Sequence, residues 1–270
     1  MKTLLELRNQ GPHHSHSSMS CFLNCGLKYY LKYVQKLQAE MQSANLLTGS
    51  VYHKTMDFFI GQLMDGRKVS EQELKEYFER EWSNNIAISK NLSFENEDEQ
   101  NSMREKTMEM LKTYIEQFDY GQKIISHSES FIVKVEGVEL PLVGEFDMVV
   151  LDKNKKTVIV DFKTASRSWP AGKENSEPQA TLYLYAFKQM YGRSADFRFD
   201  VVTKGKQSKI LVLPTSRKSE DFSRMARIYQ QVERGIQAGV FIPNDTSFFC
   251  SNCEYAKACN EWGRCQQVAS

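Results

Sequence analysis

The sequence has almost no net charge and no long hydrophobic run. Its 270 residues include 35 Lys and Arg and 34 Asp and Glu, a formal net charge of +1. Because a strongly basic chain would indicate nucleic acid, any contact with DNA has to depend on a local basic patch. No apolar stretch reaches the length of a membrane-spanning helix, and the N-terminus lacks the apolar run of a secretory signal. We therefore expect a cytoplasmic protein with no membrane partner.

Cysteine is absent from the middle of the chain. Two of the six cysteines lie at positions 21 and 25, and the other four lie between 250 and 265. In a reducing compartment this placement indicates metal or redox chemistry more than a disulfide framework. The spacing Cys250-x2-Cys253-x5-Cys259 can hold an iron–sulfur cluster or Zn²⁺. The alternatives are a local zinc site of the four C-terminal cysteines, with Cys265 as a ligand, and a set of unliganded buried thiols.

The order of the predicted elements indicates a mixed α/β fold. Apolar periodicity predicts helices at about 21–42, 49–64, 70–84, 97–120, 177–191 and 218–239. Alternating side chains predict strands at about 130–135, 140–151, 157–163, 197–202 and 209–213. We expect a flexible leader at 1–20 and a single domain at 21–270. The parts of that domain are a helical region (about 21–120), a catalytic core (about 125–215), and a C-terminal helix with the cysteine cluster (about 216–270).

Two neighbouring predicted strands carry both acidic and apolar residues. They contain Gly144-Glu145-Phe146-Asp147-Met148 and Val160-Asp161-Phe162-Lys163. Side chains alternate along a strand, so residues two apart share a face. We expect the apolar residues to form one core-facing surface, and the opposite surface to gather Glu145, Asp147, Asp161 and Lys163. Carboxylates held so close repel each other unless a cation lies between them, and oxygen ligands suit Mg²⁺ or Mn²⁺.

A metal at this surface would support hydrolysis of a phosphodiester. A bound divalent ion can lower the pKa of its water and polarise a phosphoryl oxygen. Lys163 would then orient the attacking water or neutralise charge on the phosphate. The alternative is an ordinary sheet with one solvated face, where charged side chains are common.

The whole series of motifs resembles the RecB-like nucleases of the PD-(D/E)XK superfamily. The series comprises Gly49-x3-His53, Gly144-x2-Asp147, Asp161-Phe162-Lys163-Thr164 and Gln179-x3-Tyr183. The resemblance implies a restriction-endonuclease-like sheet with flanking helices, an N-terminal helical insertion and a cysteine-rich C-terminal staple. It also implies a catalytic Lys163 supported by Gln179 and Tyr183. The metal ligands that it implies are His53, Asp147, Asp161 and the carbonyl of Phe162.

The cysteines resemble those of the iron–sulfur nucleases, namely the CRISPR-associated RecB-like exonucleases and the nuclease domain of AddAB-type helicase–nucleases. The N-terminal match is Ser18-x-Ser20-x4-Cys25-Gly26, and these families usually have Pro where this chain has Gly26. The resemblance implies a structural [4Fe–4S] cluster that fastens the two ends of the chain across the core. The ligands that it implies are Cys25, Cys250, Cys253 and Cys259.

Two groups of residues could bind DNA: cations beside aromatic rings in the first predicted helix, and lysines in the turn of the last predicted hairpin. Lys28 and Tyr29 lie in the first predicted helix, and Lys204 and Lys206 lie in the turn of the last predicted hairpin. Cations beside aromatic rings can bind single-stranded DNA. At helical spacing, however, such residues are more often half-buried tyrosines beside solvated lysines. We expect a metal-dependent DNA exonuclease acting on single strands or duplex ends, to which a helicase, integrase or other recombination partner delivers the DNA. The other hypothesis is a non-catalytic DNA-binding or adaptor protein in a repair or CRISPR complex.

Overall fold

A five-stranded sheet lies between two groups of helices. The computed structural model describes residues 2–89, 91–92, 94, 96–247 and 250–265, with side chains as far as 262. The strands are β1 (Lys123–Val133), β2 (Leu142–Leu151), β3 (Thr157–Ala165), β4 (Asp196–Thr203) and β5 (Lys209–Thr215). The helices are α1 (Leu4–Arg8), α2 (His16–Asn24), α3 (Gly26–Tyr29), α4 (Ala44–Met64), α5 (Glu71–Ile88), α6 (Glu97–Glu116), α7 (Lys173–Ser176), α8 (Pro178–Tyr191), α9 (Ser219–Gln237) and α10 (Ala256–Cys265). The expected mixed α/β fold is confirmed.

The strands follow one another in the sheet in chain order, β1-β2-β3-β4-β5. All neighbours are antiparallel except β3 and β4, which are parallel. A parallel pair requires a crossover connection, and here α7 and α8 provide it. This crossover brings α8 back over the sheet, with its first turn near the end of β3.

Both faces of the sheet are buried, so the expectation of a single core-facing surface was wrong. Phe146, Val149 and Ile159 pack in one cluster with residues of α8 and α9. Met148, Val160 and Phe162 pack in the other cluster, with residues of α4, α5 and α6. Strands covered by helices on both sides are apolar on both sides. The functional carboxylates do not lie on an open face. Asp147 and Asp161 lie where the pairing of β2 with β3 ends.

The alternation of side chains breaks at Asp147. Phe146 and Met148 are two residues apart but belong to opposite clusters, and the pairing of β2 with β3 ends at Met148. On the other side of β2, Ser128 of β1 lies between two paired positions and has a φ of +41°. The break removes Asp147 from the backbone ladder. Its Oδ2 instead accepts the N–H of Phe162 at 2.8 Å.

The N-terminal residues differ from the expected flexible leader. The N–H of His14 donates to the carbonyl of Pro141, and the N–H of Val143 donates to the carbonyl of His14, both at 2.8 Å. The buried His14 imidazole also pairs with Glu233 of α9. These bonds join the segment to the sheet, and α2 then begins at His16.

The helix predicted over 21–42 is divided into shorter pieces. Cys25 interrupts it with an extended backbone (φ −163°, ψ 109°), and a π-helical turn covers Tyr30–Val34. The remaining helices and strands start and end within several residues of the predicted limits. None of the helices within the described ranges is long and apolar enough to cross a membrane.

Candidate active site

The structure brings the predicted catalytic residues together in the second half of β3, just past the point where its pairing with β2 ends. Asp161 and Lys163 lie on β3, Asp147 lies at the break in β2, and Gln179 lies in the first turn of α8. His53 lies in the middle of α4, which packs over the sheet from the other side. Four separate elements therefore contribute side chains to the site. Only Asp161 and Lys163 lie close together in the sequence, because both belong to β3.

Gln179 links the lysine and the carboxylate of the Asp161-x-Lys163 pair. Its Nε2 donates to Oδ1 of Asp161, and its Oε1 accepts from Nζ of Lys163, each at 2.7 Å. Lys163 Nζ also lies 2.7 Å from Oδ2 of Asp161. That contact is an ion pair and not a hydrogen bond. The buried Oδ2 accepts no hydrogen bond from a described residue. The three side chains form a closed ring of contacts.

Asp147 and His53 form the second half of the site. Nδ1 of His53 lies 3.4 Å from Oδ1 of Asp147, while Oδ2 of Asp147 is occupied by the N–H of Phe162. Two neighbouring ligands of an octahedral ion with bonds of about 2.1 Å would be about 3 Å apart. The separation of these two atoms is therefore close to that of two ligands of one ion.

The chemistry of the donor set fits Mg²⁺ or Mn²⁺. Carboxylate and carbonyl oxygens with a single imidazole are ligands of hard divalent ions. The buried Oδ2 of Asp161 accepts no hydrogen bond from a described residue, which leaves it available as a ligand. As the side chains stand, the described residues contain no group of three or more His, Cys, Asp or Glu arranged to hold an ion. Asp161 faces Lys163 and Gln179 instead.

Burial and charge shift the pKa values of these groups in different directions. Burial raises the pKa of Asp161 to about 6, although Lys163 opposes the shift. Burial would also raise the pKa of Asp147, but His53, Lys163 and the N–H of Phe162 together outweigh it and the net shift is downward. Burial would lower the pKa of Lys163, but Asp161 and Asp147 outweigh it and the pKa is raised. Lys163 is therefore charged at neutral pH.

Tyr183 and Gly144 support the site through packing. Tyr183 lies one turn after Gln179 and is 8% exposed, with its ring against Phe131 and Phe146. Burial raises its pKa well above the usual value, so its hydroxyl stays protonated. A side chain at Gly144 would overlap the ring of Phe131. The glycine of the Gly144-x2-Asp147 motif is thus required by this close approach.

Arg217 holds the first turn of α8 and was not recognised in the sequence. Helix α8 has no side-chain N-cap. The Arg217 guanidinium instead donates to the carbonyls of Glu174 and Glu177 and to the hydroxyl of Thr181, at 2.8–3.0 Å. It also donates to Thr215 at 2.6 Å. Because these contacts lie before and after Gln179, Arg217 positions the residue that links Lys163 and Asp161.

His16 is a second residue near the site that the sequence did not indicate. Its Nε2 lies 3.9 Å from Glu177, and its Nδ1 is buried without a partner among the described residues. Burial lowers the pKa of His16 to about 4, and the charge of Lys163 adds to the shift. His16 is therefore neutral, and its contact with Glu177 is not an ion pair. The only sequence signal is the serine pair Ser15 and Ser18, which caps α2.

The comparison with known families identifies the superfamily. A family model of the PD-(D/E)XK nuclease superfamily matches residues 13–260. The chain belongs to the PD-(D/E)XK nuclease superfamily. The match spans every element that carries a candidate catalytic residue, and it confirms the superfamily resemblance seen in the motifs. No curated protein matches the sequence.

Two solved structures that resemble this chain are distant from it in sequence. The crystal structure of a candidate exonuclease from Eubacterium rectale is 13% identical and has a TM-score of 0.51. That match covers 86% of this chain and 84% of the other. The structure of SSO0001 is 12% identical over 78% of this chain and 94% of the other. Its TM-score of 0.37 is too low to establish a shared fold. The first likeness shows a shared fold and nothing more specific.

The two ends of this PD-(D/E)XK chain meet beside α3. The N–H of Leu27 donates to the carbonyl of Ile242 at 3.3 Å, and Lys28 forms an ion pair with Glu254 at 2.7 Å. A side chain at Gly26 would lie 3.0 Å from the backbone nitrogen of Ile242. This close approach explains why a residue as small as glycine follows Cys25 here.

The cysteines near both ends line a common cavity. Its volume is about 220 Å³, and the residues that line it include Cys25, Cys250, Cys253 and Cys259. A neighbouring cavity of about 320 Å³ is lined by Cys21 as well as by Cys25, Cys250 and Cys253. The side chain of Cys265 lies outside the described part of the structure, and so does any local zinc site that includes it.

The residues predicted to bind DNA have different surroundings. Tyr29 is 6% exposed and packs between Phe22 and Phe241, so neither face of its ring is open to a base. The ammonium groups of Lys28 and Lys204 are engaged with Glu254 and Asn45 respectively. Lys206 is exposed and lines a surface pocket. The structure therefore differs from expectation at Tyr29 and leaves Lys206 as the accessible cation.

Proposed function

We propose that the protein is a divalent-metal-dependent DNA exonuclease that hydrolyses phosphodiester bonds in single strands or at duplex ends. The observation that carries the proposal is the ring of contacts among Asp161, Lys163 and Gln179 beside Asp147 and His53. A binding module has no need for a buried carboxylate, an ammonium group and an amide arranged in this way. The near-neutral net charge fits a helicase, integrase or other partner that delivers the DNA.

Each side chain has a role in this proposal. His53, Asp147, Asp161 and the carbonyl of Phe162 would hold Mg²⁺ or Mn²⁺, which lowers the pKa of bound water and polarises the phosphate. Lys163 stabilises the negative charge that develops on the phosphate oxygens. Gln179 holds the Lys163 ammonium in place, and Tyr183 packs beneath Gln179.

The decisive experiment is cleavage of single-stranded DNA that carries a label at one end or the other. Wild-type protein with Mn²⁺ or Mg²⁺ should release label progressively, while Asp161→Ala and Lys163→Ala should be inactive. Asp152→Ala, in the exposed turn between β2 and β3, is the matched control and should keep full activity. Cleavage that survives in Asp161→Ala would refute the site, and absence of cleavage by wild type on single strands, duplexes and flaps would favour a DNA-binding or adaptor role.

We also propose that Cys25, Cys250, Cys253 and Cys259 hold a structural [4Fe–4S] cluster. The shared cavity and the direct contacts between residues 24–28 and 242–254 support this proposal. Thiolate sulfurs from separated segments are the ligands that such clusters require. A cluster here would join the two ends of the chain.

Metal analysis separates this proposal from the zinc alternative. Anaerobically purified protein should be brown and contain iron and acid-labile sulfide, and Cys253→Ser should lose both. The matched control is Cys21→Ser, because Cys21 lines only the neighbouring cavity. A colourless protein with stoichiometric zinc would refute the cluster while leaving the nuclease proposal intact.

A further inference from the structure

A basic pocket opens at the edge of the sheet where the parallel strands β3 and β4 end. Its volume is about 450 Å³. We define it by the cations Arg167, Lys206 and Lys209 and by the hydroxyl residues Ser166, Ser168 and Thr203. No carboxylate is among the described residues that line it. The pocket therefore presents uncompensated positive charge and hydroxyl donors, which is the chemistry that binds a phosphodiester.

The walls of the basic pocket are held in place by the rest of the fold. On one side, the N–H of Lys204 donates to the carbonyl of Ala165 at 2.8 Å, and Trp169 packs against Phe199. On the other side, the N–H of Ser208 donates to Glu109 of α6 at 2.9 Å. A binding surface that is already ordered loses little conformational entropy when its ligand binds. The backbone that carries the pocket is thus held in place by the fold, and the side chains of Arg167, Lys206 and Lys209 are exposed to a ligand.

The basic pocket lies just beyond the strand that carries the catalytic lysine. Strand β3 ends at Ala165, and Ser166 of the pocket is the next residue, three positions after Lys163. An extended chain advances about 3.3 Å per residue, so the pocket begins within about 10 Å of Lys163 along the chain. A DNA strand bound at the metal site could therefore reach the pocket within a few nucleotides.

We propose that the basic pocket binds a backbone phosphate of the DNA substrate within a few nucleotides of the cleaved bond. The inference rests on the proposed nuclease function, and it adds Arg167 and Lys209 as substrate-binding residues beside Lys206. Such a contact sets the register of the strand at the metal site without reading its sequence.

The first test measures binding in an Asp161→Ala background, so that no cleavage is needed. A fluorescent single-stranded oligonucleotide should bind the additional double variant Arg167→Ala/Lys209→Ala more weakly, by about fivefold per residue. The slope of log affinity against log salt should fall by about 0.7 for one lost phosphate contact. The control Lys153→Ala/Arg227→Ala removes exposed cations from the far end of β3 and from α9, and it should change neither quantity.

The second test locates the phosphate. Single phosphates of the oligonucleotide are replaced in turn by uncharged methylphosphonates, with positions counted from the bond that wild-type protein cleaves. Binding should weaken at one phosphate within a few nucleotides of that bond, and the same replacement should cost nothing further in the Arg167→Ala/Lys209→Ala protein. Unchanged binding by the double variant, or a methylphosphonate penalty that persists in it, would overturn the proposal. Failure of wild type to cleave DNA would instead overturn the nuclease function, since the binding test does not depend on it.

Discussion

The ammonium group of Lys163 donates to the amide oxygen of Gln179 across 2.7 Å, and the amide nitrogen of Gln179 donates to Asp161. An amide has one donor end and one acceptor end, so a single side chain satisfies both a cation and an anion. No other standard side chain of this length can do both without changing its charge. The relationship makes Gln179 the residue that fixes the distance between the catalytic lysine and the carboxylate.

Replacement of Gln179 by Ala should slow cleavage by about 100-fold, because a small displacement of Lys163 is enough to remove its contact with the transition state. The affinity for DNA should change little. Gln189→Ala is the control, since Gln189 lies on the same helix but bonds to the carbonyl of Lys134 at the surface. Single-turnover rates and separate binding measurements check the prediction. Equal rates in the two variants would contradict it.

Arg217 should act on the same step through Gln179. We expect Arg217→Ala to slow cleavage by about tenfold, because the first turn of α8 loses the guanidinium that holds its carbonyls. In a Gln179→Ala background the same substitution should have almost no effect on rate. A double-mutant cycle, measured at a temperature where all variants are folded, tests this coupling. Rate losses that multiply would show that Arg217 does not act through Gln179.

Gly144→Ala should reduce the free energy of unfolding by about 1–3 kcal/mol, because the new methyl group would overlap Phe131. Phe131 is 1% exposed and cannot move without disturbing Phe146 and Tyr183. The control is Gly49→Ala in α4, where the nearest atom would be 3.9 Å away. That change should leave stability equal or raise it by up to about 1 kcal/mol. Urea denaturation of both variants provides the comparison.

The pair Asp57 and His127 should make stability depend on pH. Their Oδ1 and Nδ1 atoms are 2.5 Å apart, and the hydrogen bond to Asp57 raises the pKa of His127. A raised folded-state pKa stabilises the protein fully below the unfolded-state value of about 6.5, and that contribution is lost as pH rises through the folded-state value. His127→Gln should therefore cost up to about 1 kcal/mol at pH 5 and much less at pH 9, since the pair is partly exposed. An equal loss at both pH values would contradict the prediction.

The order of elements and the candidate catalytic residues could be predicted from sequence. Apolar residues repeat with helical or strand periodicity, and the motifs at Asp147, Asp161-x-Lys163 and Gln179 follow the order of the superfamily. Alternation is also predictable along a regular strand such as β3, because it is a local property of the backbone. The roles assigned to the cysteines and the metal ligands stay predictions that the experiments above test.

Relationships between distant segments were decided by the tertiary structure alone. The break at Asp147, the linkage of His14 to Glu233 and the hydrogen bonds from Arg217 to the start of α8 depend on contacts between residues far apart in the chain, which no local pattern records. The same is true of the basic pocket, since Arg167 and Lys209 meet only because β3 and β4 are parallel and end at the same edge. The sequence by itself determined which side chains could perform the chemistry. Packing of helices on both faces of the sheet decided which of them are close enough to act together.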